Sequence, residues 1–236
     1  MNLAAIFDSM SNVKSILKET ELFKLENRTR KKSITIDKFS DEFIKISQKT
    51  EYDILYKTAM KYGDYDYILT DDSFFQFSCT LNNEDLETGS IRYAYFQNPR
   101  EYPTYNDFLK ENGFSYHDCG DELLFEYEQE IAESKFRAVI YPIRYDYDYK
   151  LYKPIHHAIS HLHIGHESNI RITLSKIITP EKFVIFVLRN IYRKHWSKAF
   201  NNSQEFRELC MKCKLKCAEV KDMFFSEEEK NFLHLK

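Results

Sequence analysis

Between residues 65 and 175 the chain is a succession of short runs rich in aromatic and β-branched residues, punctuated by turn residues: YDYILT, SFFQFSCTL, SIRYAYFQNP, KFRAVIYPIRYDYDY, HHAISHLHI and NIRITLS. Such runs form strands, and the short gaps between them leave little room for crossover helices, so the sheet is expected to be antiparallel. The longest gap holds TYNDFLKENGFSYHD, a short helix ending near Gly113, and a turn at Gly165–Ser168 separates the last two strands.

On either side the apolar period changes from two to between three and four. Residues 3–24 place Ile6, Met10, Val13 and Leu17 on one helical face, and residues 37–62 repeat the pattern with Phe39, Phe43, Ile46 and Leu55 until Gly63 stops it. Near the other end, Thr179-Pro180-Glu181 supplies a hydroxyl cap, a proline at the first helical position and an acid in the first turn. EKFVIFVLRNIYRKHW follows, too apolar from Phe183 to Leu188 for anything but buried packing, and SQEFRELCMKCKLKCAEVKDMFF and SEEEKNFLHL make further helices. The expectation is one α+β domain over residues 1–236: a helical part (1–63), an antiparallel sheet of about five to six strands (64–176) and a second helical part (177–236).

Composition removes several function classes. Only five glycines occur, and neither G-x-x-x-x-G-K-[ST] nor G-x-G-x-x-G is present, which excludes the usual nucleotide cradles. A net charge of -3 excludes a chain that binds polyanions over its whole surface; the basic runs at 28–32, 189–198 and 212–216 read first as solvated helix faces. Cys210, Cys213 and Cys217 fall on one helical stripe and lack the second paired knuckle of a structural zinc site. Five cysteines, no signal peptide and no long apolar segment point to a reducing cytoplasm and to no membrane association.

Chemistry concentrates in PIHHAISHLHIGHESNIRI (154–172), which carries His156, His157, His161, His163 and His166. If 156–164 is a strand, alternation puts His157, Ile159, His161 and His163 on one face and His156, Ala158, Ser160, Leu162 and Ile164, mainly small or apolar, on the other. His161 and His163 would then stand about 6.6 Å apart along the strand. Arg171, on the polar side of the next strand, and Arg144 and Asp146, on one side of IRYDYD, can converge on them. His156, His166, His117, His195 and His234 read as surface, turn or packing residues.

The blocks IRYDYD, HAISHLHIG, NIRI and ITPEKFVIFVLRNIYRKHW resemble a bacterial domain-of-unknown-function family, number 2290, best over residues 137–196. The resemblance implies no activity. It implies a source in bacteria or their mobile elements, and a setting of phage-defence or toxin cassettes.

Read as chemistry, His161 and His163 suit an acid–base pair acting on a phosphodiester, with Arg171 and Arg144 as phosphate clamps and Asp146, His157 and Tyr145 in support. Tyr145 or Tyr147, if exposed, could stack bases. The expected function is a nuclease or toxin-like effector acting on nucleic acid, RNA ahead of DNA, without a cofactor. One alternative is a divalent-metal hydrolase with His157, His161, His163 and Asp146 as ligands. HLHIGHE has a superficial likeness to the cupin ligand run, but the flanking glycines are missing. The other alternative is a non-catalytic subunit that grips nucleic acid or a protein partner.

Overall fold

A computed structural model of the chain describes residues 3–28, 39–47, 51–82, 85–166 and 170–233. The order begins with α1 (Leu3–Glu19), β1 (Phe23–Glu26), α2 (Asp41–Ile46), α3 (Tyr52–Tyr62), β2 (Tyr67–Leu69), β3 (Phe74–Asn82) and β4 (Asp85–Phe96). Three short helices follow, α4 (Tyr105–Glu111), α5 (Tyr116–Cys119) and α6 (Leu124–Glu133), then β5 (Ile143–Asp148), β6 (Ser160–Ile164), β7 (Arg171–Thr173) and β8 (Lys176–Ile177). The chain then runs through α7 (Pro180–Ile191), α8 (Arg193–Asn202), α9 (Gln204–Lys212), β9 (Ala218–Glu219) and α10 (Glu227–Leu233). Among the described residues no helix is long and apolar enough to cross a membrane.

The fold is α+β, and its main sheet has seven strands in sequential order β1 to β7, every neighbouring pair antiparallel. The seventh strand beyond the six anticipated is β1, whose four residues continue the apolar rhythm of α1 and hide within it. A turn at Thr20 and Glu21, the latter at φ 58, separates the two. The 37–62 segment is two helices rather than one, and EKFVIFVLRNIYRKHW likewise breaks at Tyr192 (φ -107, ψ 45), which ends α7 and opens α8. KFRAVIYPIRYDYDY is strand only over its last part, from Ile143.

Local signals act as their chemistry demands. Gly63 takes the left-handed conformation (φ 72) that closes α3, and the Thr179 hydroxyl accepts the Lys182 amide at the start of α7 with Pro180 behind it. Strand alternation then divides the sheet into two faces. Phe75, Phe77, Tyr93, Tyr95, Tyr145 and Leu162 point to one side, where α1 and α7 cover them; Phe183 of α7 meets Phe75 and Tyr93 with ring centroids 6.2 and 5.8 Å apart. Cys213 and Cys217 are buried in this same core. On the other side α2 and α3 cover the β2–β3 end, packing Phe43, Leu55 and Tyr56 over Ile68 and Phe74. The rest of that face carries polar side chains.

Candidate functional site

Two rows of side chains cross the sheet on this polar face, perpendicular to the strands. Antiparallel pairing sets Ser78, Arg92, Asp146, His161 and Thr173 side by side, and beside them Gln76, Ala94, Arg144, His163 and Arg171. Directly paired residues on one face stand close enough for side-chain contact. Five residues from three strands, Arg92, Arg144, Asp146, His161 and His163, therefore meet as one cluster.

Asp146, buried at 6% exposure, is its centre. Arg92 Nε donates to Oδ1 at 2.8 Å and Arg144 Nε to Oδ2 at 2.7 Å, while His163 Nε2 lies 3.3 Å from Oδ2. Burial pushes the carboxyl up, but the His163 hydrogen bond and the two guanidinium groups outweigh it and hold Asp146 well below the usual carboxylate range. Asp146 is a fixed anion.

The histidines form a chain. His161 Nδ1 sits 2.8 Å from the Ala158 carbonyl, which can only accept, so Nδ1 carries the proton and Nε2 of the neutral ring is the lone pair. That lone pair faces His163 Nε2 at 2.9 Å, which makes His163 Nε2–H the donor to both His161 and Asp146. Burial lowers the His161 pKa to about 4 against the raising effect of Asp146, so His161 is neutral at pH 7.

Positive charge exceeds what Asp146 balances. Arg92 and Arg144 touch it through Nε, and their terminal nitrogens hold no other described partner. Arg171, exposed at the β7 edge, has no carboxylate partner among the described residues. Burial lowers the Arg144 pKa, Asp146 offsets this, and Arg92 and Arg171 add to the lowering by crowding like charges together. Two adjoining cavities of about 490 and 360 Å³ share Arg92, Arg144, Arg171, His163 and Phe39 in their walls.

A metal fits this cluster poorly. His161 Nε2, His163 Nε2 and an Asp146 oxygen lie within 4.8 Å of one another, a spacing open to a divalent cation. Both Asp146 oxygens are already bonded to guanidinium groups, however, and a cation would meet three arginine charges. The donor set suits an anion at its rim better than a cation at its centre.

The structure thus brings together Arg144, Asp146, His161, His163 and Arg171, and corrects other sequence expectations. Tyr145 is fully buried and Tyr147 is 2% exposed, so neither can stack a base; alternation turns both to the side opposite Arg144 and Asp146, into the core. Strand β6 begins at Ser160, not 156, so alternation does not extend to His157 or Ile159, and Ile159 lies in the core. His157 sits in a loop bridged to Lys153, with its ring 4.9 Å from that of His161 and its Nδ1 buried without a hydrogen-bond partner among the described residues. Burial and the Arg171 charge lower its pKa. The loop is held by Glu229 of α10, which accepts from Tyr152 Oη at 2.8 Å and Ile155 N at 3.3 Å.

His166 packs against Tyr52, His195 faces the Thr20 carbonyl, and His156 and His117 are exposed; His234, Asn169 and most of the basic run at 28–32 lie outside the described residues. Arg92 was not anticipated. The signal was present in SIRYAYF, where alternation sends Ile91, Tyr93 and Tyr95 inward and Arg92 and Ala94 to the polar side.

Residues 16–236 match the model of a family described as "Uncharacterized conserved protein (DUF2290)". The match extends well beyond the blocks at 137–196 that carried the resemblance. No curated protein and no solved structure matches the chain.

Proposed function

We propose that this chain, which belongs to the DUF2290 family, is a phosphodiesterase that receives a nucleic-acid strand, RNA ahead of DNA, on its arginine–histidine face. One observation carries the reading. Three guanidinium groups from β4, β5 and β7 keep donors unspent beside two hydrogen-bonded imidazoles, one of them held by the same carboxylate that the arginines share.

The planar fork of arginine gives paired hydrogen bonds to phosphate oxygens, and three such groups favour a dianion or a developing phosphorane charge. His161, with its Nδ1–H committed to Ala158, offers Nε2 as base; His163, oriented by Asp146, is the acid partner. The 2.9 Å contact between the two rings closes the pair to a phosphate, so in the working state a substrate oxygen replaces that contact.

A metal-assisted hydrolase is the second reading, favoured by the proximity of the Asp146, His161 and His163 donor atoms and opposed by the arginines already on Asp146. Labelled RNA and DNA oligonucleotides, incubated with wild type, His161→Ala, His163→Ala and Arg171→Ala with and without EDTA, separate the possibilities. The expected result is RNA cleavage indifferent to EDTA and lowered about a hundredfold or more in either histidine variant. Loss with EDTA transfers the reading to the metal. RNA binding without cleavage leaves a binding subunit, and neither binding nor cleavage ends the proposal.

A further inference from the structure

The larger of the two cavities is unlike its neighbour. Its one wall is the arginine row with His163; the opposite wall is apolar and comes from α2 and the sheet beneath it, with Phe39, Phe43, Ile44 and Phe96 facing the space. The smaller cavity, across the same arginines, shares Phe39 at its edge and includes Leu151, but lacks Phe43, Ile44 and Phe96 and is lined instead by hydroxyls and carboxylates such as Ser78, Ser90 and Asp148. A ligand lying over the arginines therefore has an aromatic chamber on one side of its phosphate and a polar one on the other.

We infer that the aromatic chamber is a nucleobase subsite for the nucleotide on one side of the bound phosphodiester. This rests on the phosphate reading above. Three features carry it. First, a cavity of about 490 Å³ lies in the range of pockets that enclose small heterocyclic ligands. Its apolar wall includes rings, and every base offers a π-face to stack on them.

Second, the wall is built, not incidental. Ser40 caps α2 by accepting from the Phe43 amide, and its own amide donates to Asp64 Oδ1 at 2.7 Å, which fixes α2 against the turn after α3. Phe39 and Phe43 stand with ring centroids 5.5 Å apart, and Phe43 meets Phe96 at 6.1 Å. Third, Gln76 is 3% exposed and lines the chamber, and it spends its amide nitrogen on the Asp64 carbonyl at 2.7 Å. Its carbonyl oxygen remains as an acceptor for an N–H on a base edge. An aromatic wall with one amide acceptor, in the same cavity as three guanidinium groups, matches the two ends of a nucleotide. An aliphatic acid would use the wall but not the amide, and a sugar phosphate would use neither.

The experiment is a calorimetric titration of the full chain with the four ribonucleoside 5′-monophosphates, ribose 5-phosphate and inorganic phosphate. At least one nucleotide is expected to bind about tenfold or more tightly than ribose 5-phosphate. Phe39→Ala and the surface variant Ile44→Asp are expected to erase that difference while keeping inorganic phosphate binding; Arg171→Ala is expected to weaken every ligand alike. Ile44 is 49% exposed, so its replacement leaves the fold intact even if Phe39→Ala does not. Equal binding of nucleotides and ribose 5-phosphate, or nucleotide binding insensitive to both chamber variants, overturns the base subsite and leaves the phosphate reading standing. Failure of every anion, inorganic phosphate included, overturns the phosphate reading itself and the subsite with it.

Discussion

The two faces of the central sheet are made by the same strands, residue by alternate residue, yet they are finished differently. On one, aromatic rings from β2 to β5 are sealed under α1 and α7. On the other, α2 and α3 stop over the β2–β3 end, and the polar rows from β4 to β7 are left beside two open cavities. The first face is held by burial, which is non-directional and tolerates a range of shapes. The second is held by directed bonds to one carboxylate, and several of its charged groups are not used up by the fold. Stability and chemistry are thus divided between alternate positions of the same strands.

Breaking the sealed face should have the largest effect. Phe75→Ala removes a fully buried ring that packs on Tyr95 and Phe183, and is expected to cost about 3–5 kcal/mol in denaturant unfolding. A cost under about 1 kcal/mol would mean that α7 does not seal this face.

The open face should show itself next, through pH. His161 is held neutral in the folded chain down to about 4, whereas in the unfolded chain it takes a proton below about 6.5. Its contribution is therefore complete above the unfolded value and is lost as pH falls from there through the folded one. In protein freed of metal with EDTA, the loss from this group between pH 7 and 5 is expected to be about 2 kcal/mol, with His157 acting in the same sense. Asp146, depressed by its partners, contributes in full across that range and is lost only at lower pH. Urea melts of wild type and His161→Asn, taken at each pH, check this: the variant should give the flatter profile, and parallel profiles would refute the assignment.

The smallest stability effect is expected at the rim. Arg171→Ala should change unfolding by no more than about 0.5 kcal/mol, since the side chain is exposed and unpaired among the described residues. The same substitution is the one expected to weaken anion binding. A variant that unfolded readily would make Arg171 a structural residue and dissolve the division between the faces.

Most of this division was legible in the sequence because a period of two is written in residue types. IRYDYD and SHLHI each announce an apolar and a polar side, which is how Arg144, Asp146, His161 and His163 could be grouped before the strands were paired. What alternation could not supply was where it begins. His157 and Ile159 precede the strand, and the tyrosines named as base-stackers sit at the inward positions of the very run that supplies the site. Arg92 was missed for a different reason: it lies in an aromatic-rich strand with no histidine near it, and only pairing with β5 reveals its neighbours. The aromatic chamber depends on α2 folding across the sheet, a tertiary contact with no signature in local periodicity.

The sequential order of the strands has a consequence for how such a chain tolerates insertions and deletions. The connection from 97 to 142 joins neighbouring strands outside the rows, so residues added or lost there need not disturb the cluster, whereas the one from 149 to 159 sets His157 and the Ala158 carbonyl against His161. Inside a strand the outcome reverses. One extra residue ahead of Arg144 in β5 would turn two of the cluster's charges into the hydrocarbon layer and present Tyr145 to water. Length is therefore expected to drift in the connection from 97 to 142 in this family and to stay locked in β4, β5 and β6, whatever happens to the individual side chains.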